Sequence, residues 1–269
     1  MVVELSDHVG DLLAESRRRM EDAEQDVALW RSQLALASET AETARSKRSL
    51  LRRLLRLSSP EERHALLALD EASHRLHEAT GHLARVQTSM RQQQTGAAGE
   101  DALAEALSGL SDRWTMLRGY RNRRGETDSV LVGPQGVWAV EVKNIRVRLT
   151  VDGSRWRYEK LDRWGNVKEE GDATDRTGRT WADQVNDVAE DLRHWLERRN
   201  RRLPVRTAVL LLRDQARLGD VRDSPVDLVG TSAEDLLAAM DRHALDLDRP
   251  TCDDIVRLVR RDHAFHEQP

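Results

Sequence analysis

Between Thr127 and Asn144 the sequence reads TDSVLVGPQGVWAVEVKN, with an aspartate opening one apolar run and a glutamate and a lysine closing the next. If Gly133-Pro134-Gln135-Gly136 is a four-residue hairpin loop, Val132 faces Val137, and counting back pair by pair sets Asp128 opposite Glu141. The two carboxylates then become cross-strand neighbours, and side-chain alternation puts Lys143 on their face, one step further along. Like charges placed between apolar strands repel and call for a compensating cation. Two carboxylates, with a backbone carbonyl and waters, suit a hard divalent ion such as Mg²⁺ or Mn²⁺. Lys143 would then orient or deprotonate an attacking water, or steady a phosphate oxygen.

The choice of lysine carries information. Of 43 basic residues only four are lysines (Lys47, Lys143, Lys160 and Lys168), so the chain uses arginine nearly everywhere a plain positive charge will do. A compact ammonium with a tunable pKa differs most from guanidinium at a partly buried position, and Lys143 occupies one in this reading. The plain alternative is a solvated sheet rim that happens to carry Asp, Glu and Lys in a chain that is 33% charged.

Two kinds of element surround these residues. Leu13, Ser16, Met20, Ala23, Val27, Trp30, Leu34, Ala37, Ala41, Ala44, Arg48, Leu51 and Leu55 follow one another in steps of three and four, a heptad seam. Ser58-Ser59-Pro60-Glu61-Glu62 restarts the pattern, with Ser59 as N-cap, Pro60 at the first helical position and Glu62 closing a capping box. A second seam follows through Leu66, Leu69, Ser73, Leu76, Thr80, Leu83, Gln87 and Met90. Residues 1–94 therefore read as an antiparallel helical hairpin whose longer first arm leaves part of its seam open, either for a second copy or for another protein.

Gln92 to Glu100, QQQTGAAGE, breaks the heptads and marks the expected boundary, so residues 95–269 read as a separate domain. There the spacing predicts a helix over 97–109, strands near 114–120, 128–133 and 136–144, and a hairpin over 147–160. A long helix over 177–200, a buried strand over 205–212, a last strand over 226–231 and helices over 232–241 and 251–262 complete the order. This predicts an α/β domain with a mixed sheet covered by helices on both faces.

Gly99-Glu100 opening a helix, the GETDSVLVGPQGVWAVEVKN segment and the later WADQVNDVAEDLRHWL helix together resemble the nuclease-related domain, NERD, of the PD-(D/E)XK nuclease superfamily. The ordered match falls on Glu100, Asp128, Glu141, Lys143 and Gln184, within about residues 96 to 215, and does not extend to the arm. One departure is Glu126-Thr127-Asp128, where the family usually places an apolar residue between the acidic pair; Glu126 is expected to face Lys143. The resemblance implies a restriction-endonuclease-like core that hydrolyses phosphodiesters with metal ions. It also implies Asp128 and Glu141 as metal ligands, with Lys143, Glu100 and Gln184 completing a catalytic pocket.

The implied substrate is nucleic acid, DNA rather than RNA. A net charge of -4 gives this no support, so local clusters must. Arg118, Arg121, Arg123 and Arg124 precede Asp128 as candidate phosphate contacts, and RHWLERRNRR (193–202) is a weaker candidate because helix C-termini favour cations in any case. Trp156, Tyr158 and Trp164 could stack on bases or simply pack. The single cysteine, Cys252, excludes an internal disulfide and fits a reducing compartment. No apolar run approaches the ~20 residues of a membrane span, and MVVELSDHVGDLL lacks a signal-peptide pattern, so the expected setting is cytoplasmic, with host defence or DNA processing as its context. A protein of another class is kept beside the nuclease: a scaffold or regulator whose nuclease-like domain binds nucleic acid or protein without cutting.

Overall fold

The structure is a computed structural model and describes residues 1–6, 8–47, 58–175, 177–243 and 245–267. The chain divides into two compact units, Gly10–Gln94 and a second comprising Met1–Val9 with Thr95–Pro269.

The first unit is an antiparallel pair formed by α1 (His8–Ser46) and the larger part of α2 (Pro60–Ala106). Ser16 Oγ donates to Gln93 Oε1 at 2.6 Å near one end, and Arg45 lies 3.6 Å from Glu62 near the other. The described seam of α1 is therefore matched by α2 along its length, rather than left partly open; Arg48, Leu51 and Leu55 fall outside the described residues. Ser59 Oγ caps α2 by accepting from the Glu62 amide at 3.0 Å. On α1 the expected seam is the buried face, with Ser16, Ala23, Val27 and Ala41 innermost.

On α2 part of the seam is displaced by one residue. Leu69, Leu76, Leu83 and Met90 face inward as expected, but Ala65 and Ala72 are buried where Leu66 and Ser73 were expected, and Leu66 is exposed. Ala65 and Ala72 line a cavity of about 360 Å³ together with Trp30, Leu36, Ala37 and Thr40 of α1.

α2 does not stop at QQQTGAAGE; it continues to Ala106 without a break, so the heptad change marks a change of partner and not the end of a helix. The extreme N-terminus also departs from the expected arm. Val2–Glu4 form strand β1, which pairs in parallel with β2 (Thr115–Asn122) and belongs to the sheet unit.

The central sheet has the order β1-β2-β3-β4-β8-β10, with β3 (Gly125–Gly133), β4 (Gly136–Lys143), β8 (Val205–Leu211) and β10 (Leu228–Gly230). β2, β3 and β4 form an antiparallel meander, whereas β8 runs parallel to β4, so the sheet is mixed. Alternation along these strands is clear. Leu131, Trp138, Val140, Val142 and Leu210 pack on the end of α2 and on α4 (Ala233–Arg242). The opposite face takes α3 (Trp181–Glu197) and α5 (Arg249–Glu267): Val130, Val132 and Val137 pack on Leu192, Leu196, Ile255 and Val259, and Ala139, Val209 and Leu211 on Trp181 and Val185.

A second sheet, β7-β6-β5-β9, comprises β5 (Val147–Asp152), β6 (Arg155–Leu161), β7 (Val167–Asp172) and β9 (Arg217–Arg222). The β5-β6 hairpin is the one expected over 147–160. Its inner residues Val147, Leu149, Val151 and Trp156 pack against α3. The edge strands β7 and β9 have no sequence signal because nearly all of their side chains are exposed, so no apolar alternation exists to read.

Candidate active site

The β3-β4 hairpin has the expected register, with Val132 opposite Val137 and Ser129 opposite Val140. Past Ser129 the strands part and side chains take over from the backbone. Thr127 Oγ1 donates to the Val140 carbonyl at 3.0 Å, and Asp128 Oδ2 accepts from the Val142 amide at 2.5 Å. Asp128 is thereby drawn to the end of β4, beside Glu141. Glu141 is buried, and its Oε1 accepts from Lys143 Nζ at 2.6 Å.

The third member arrives from α3. Thr180 caps this helix in a reciprocal capping box with Asp183, which fixes the orientation of the first turn. From that turn Gln184 Oε1 accepts from Lys143 Nζ at 3.4 Å, and the Trp181 ring lies with its centroid 5.8 Å from the same nitrogen. Lys143 is thus held by a carboxylate, an amide oxygen and an aromatic face. Glu126, expected to face it, instead pairs with Arg121 at 2.8 Å, because the splaying of β3 turns Glu126 back toward β2.

Glu100 enters from the last turns of α2. A side chain at Gly99 would place its Cβ 2.7 Å from the Asn144 Cβ and 3.1 Å from a Val142 methyl, so the helix meets the end of β4 at a distance that glycine alone permits. Asn144 Nδ2 donates to the Thr95 carbonyl at 2.7 Å and fastens the same junction. Burial pushes the Glu100 carboxyl up to about 7, although Arg118, 3.6 Å away, pulls it down. Asp128 is raised well above the ordinary carboxylate range by burial and then by the charges of Glu141 and Glu100. Burial opposes the charge on Lys143, but Glu141 and Asp128 outweigh it and hold the ammonium more firmly protonated than usual.

Asp128, raised by burial and by the charges of Glu141 and Glu100, sits where added positive charge is favoured. Asp128 and Glu141 offer hard oxygen donors suited to Mg²⁺ or Mn²⁺, to be completed by backbone oxygen and water. Among the described residues no group of three or more His, Cys, Asp or Glu is gathered around a common point to hold a metal ion. The donor chemistry therefore fits a two-carboxylate site and not a cage made wholly of side chains.

The arginines expected to touch phosphate are mostly committed elsewhere. Arg118 pairs with Glu4 at 3.0 Å and Asp101 at 2.9 Å as well as facing Glu100, Arg121 pairs with Glu126, and Arg123 pairs with Asp191 at 2.6 Å. Arg124, at the exposed tip of the β2-β3 hairpin, has no side-chain ion pair among the described residues. The aromatics separate likewise: Trp156 is core, Tyr158 stacks on Trp181 with centroids 6.4 Å apart, and Trp164 is exposed with Arg163 over its ring. His263, which carried no expectation, accepts from the Arg121 amide at 3.1 Å, and Tyr120 donates to Asp262, so α5 is clasped to β2.

Trp181 and Asn144 were not legible as site residues. Their signal was adjacency only, Asn144 following Lys143 and Trp181 lying three residues before Gln184, and a contact across elements is needed to give it meaning.

Residues 95–212 match the family model described as the nuclease-related domain, NERD. Neither the curated proteins nor the solved structures contain a match to the chain.

Proposed function

We propose, for a chain that carries a nuclease-related domain behind a helical arm, that the domain is a metal-dependent nuclease hydrolysing phosphodiester bonds of nucleic acid, DNA rather than RNA. The observation that carries this reading is the convergence of Asp128, Glu141, Lys143 and Gln184, from two strands and a helix, at the end of β4. Asp128 and Glu141 would hold Mg²⁺ or Mn²⁺, which supplies Lewis acidity toward a phosphoryl oxygen and toward water.

The remaining work belongs to the chain. When water adds at phosphorus and the bond to the sugar oxygen breaks, negative charge builds on the phosphoryl and leaving oxygens. Lys143, beside Glu141 and within reach of Gln184, would orient or deprotonate the attacking water or steady a phosphoryl oxygen. Gln184 and Glu141 fix where the Lys143 hydrogens point. Glu100, its carboxyl pushed up to about 7 by burial, meets the condition for exchanging a proton near neutral pH.

A second reading, a non-cleaving scaffold, is favoured by one observation: in this geometry Val142 and Lys143 each already occupy an oxygen of the proposed ligands. On either reading the arm, with Leu29, Leu36 and Leu67 exposed, would engage a second copy or another protein. Among the described residues no helix is long and apolar enough to cross a membrane, and a cytoplasmic setting in host defence or DNA processing is part of the proposal.

Purified protein incubated with linear and circular DNA, single strands and RNA, in Mg²⁺, Mn²⁺ or EDTA, tests the choice. Cutting that needs the metal and falls by about 10²-fold or more in both Glu141→Ala and Lys143→Ala is expected. Cutting that survives in both variants, or no cutting by the unaltered protein on any substrate, would return the domain to the scaffold reading.

A further inference from the structure

The C-terminal end of α3 meets the outer part of α5 through Trp195, whose Nε1 donates to the Leu258 carbonyl at 3.1 Å. Arg199 lies over the Trp195 ring, its guanidinium carbon 3.0 Å from the centroid, and donates to the Trp195 carbonyl at 3.2 Å. This guanidinium is preorganised by stacking and not by a carboxylate. Arg198 and Arg261 press their charges on it: burial first, and then these two arginines, hold Arg199 below its ordinary pKa.

Asp262 offsets the cluster only in part, and the neighbouring carboxylates are held in pairings of their own. Glu197 pairs with Arg193 at 3.2 Å, Asp254 with Arg201 at 2.7 Å and Arg257 at 2.9 Å, and Asp262 accepts from Tyr120. Arg198 and Arg261 are exposed and have no ion pair among the described residues. One turn beyond Arg261, Phe265 is 70% exposed. Like charges only partly offset, beside an exposed aromatic ring, form a surface made for an anionic chain.

We propose that Arg198, Arg199 and Arg261 form a nucleic-acid contact surface separate from the catalytic pocket, one that grips the phosphate backbone at the far end of α3. The inference rests on the nuclease reading of the domain and extends it to how the substrate is held. From Gln184 to Arg198 the helix rises about 20 Å at ~1.5 Å per residue. Phosphates follow one another at ~3.4 Å along each strand of a duplex, so a substrate touching both places extends over about six base pairs.

Fluorescence anisotropy of a ~20-base-pair DNA duplex, titrated with the full chain over a range of KCl concentrations in EDTA, tests this without any need for cleavage. Arg198→Gln/Arg261→Gln is compared with the unaltered protein and with Arg18→Gln/Arg31→Gln, which removes equal charge from exposed positions on the arm. The expected result is affinity at least tenfold weaker for the first pair, with the slope of log K against log salt smaller by about two, near 0.9 per lost phosphate contact. The arm pair should bind as the unaltered protein does, and all three should share one melting temperature within a few degrees. Equal affinity and slope in the Arg198/Arg261 pair, or an equal loss in the arm pair, overturns the surface while leaving the nuclease reading intact. Absence of DNA binding by the unaltered protein overturns both.

Discussion

Lys143 owes its position to groups of three different kinds. Glu141 supplies charge, Gln184 supplies a neutral acceptor, and Trp181 supplies the negative face of an aromatic ring 5.8 Å away. A carboxylate alone would let the ammonium rotate about a single bond; the ring closes off one side of its range. Removing that face in Trp181→Leu is expected to lower the cleavage rate about fivefold with little change in KM, equivalent to ~1 kcal/mol of cation–π interaction. Trp181→Phe should retain most of the rate. Since Trp181 also packs in the core, melting temperature must be recorded beside the rate. A Phe variant as impaired as the Leu variant would mean that the indole matters through packing and not through its face.

At the scale of elements, the junction of α2 with β4 decides whether Glu100 reaches the site. Two glycines of α2 differ sharply in surroundings: a Cβ at Gly99 would meet Asn144 at 2.7 Å, whereas one at Gly96 would meet nothing within 4 Å. Gly96→Ala should therefore stabilise the domain by about 0.5–1 kcal/mol through helix propensity alone. Gly99→Ala gains the same propensity but must push the helix off the strand, with a net loss of about 1–3 kcal/mol and a reduced cleavage rate. Thermal melts of the two variants settle the sign of each, and stabilisation by both would show that the contact at Gly99 is soft. The hairpin itself was legible to the residue: Gly-Pro-Gln-Gly between alternating runs allows one register, and Val132 does face Val137. The splaying beyond Ser129 was not, because it arises from Asp128 and Thr127 bonding to backbone groups of β4, a competition between side chain and ladder that alternation cannot express.

Across the whole molecule, the buried carboxyls make stability depend on pH. Glu100 titrates at about 7 in the fold against 4.5 when unfolded, so between those values the native state holds a proton that the unfolded chain has released. Stability contributed by this group is complete below pH ~4.5, declines as pH rises toward 7 and is lost above it, on the order of 3 kcal/mol. Asp128 is shifted in the same direction. In EDTA, the melting temperature is expected to fall from pH 5 to pH 7.5, and Glu100→Gln should flatten that fall and raise the value at pH 7.5. Parallel pH curves for the two proteins would mean that Arg118 compensates Glu100 fully.

The sequence alone determined the local matters: the capped start at Ser59, the inward stripe of α1 and the β3-β4 register; Glu100 and Gln184 were named only through the resemblance to the NERD family. The local matters follow from backbone geometry and from spacing of 2 or 3.6 residues, which any single strand or helix expresses by itself. What only the tertiary structure decided depends on partners distant in sequence. That Ala65 and not Leu66 is the buried position is decided by where α2 turns toward α1. The exposed strands β7 and β9 exist because β6 and β5 offer edges to pair with, and β1 exists because β2 does. The carboxylates that pair with Arg118, Arg121 and Arg123 come from other elements or from across the hairpin, whereas Arg198 and Arg261 have no ion pair among the described residues. Charge pairing depends on distance in space, and a sequence records only distance along the chain.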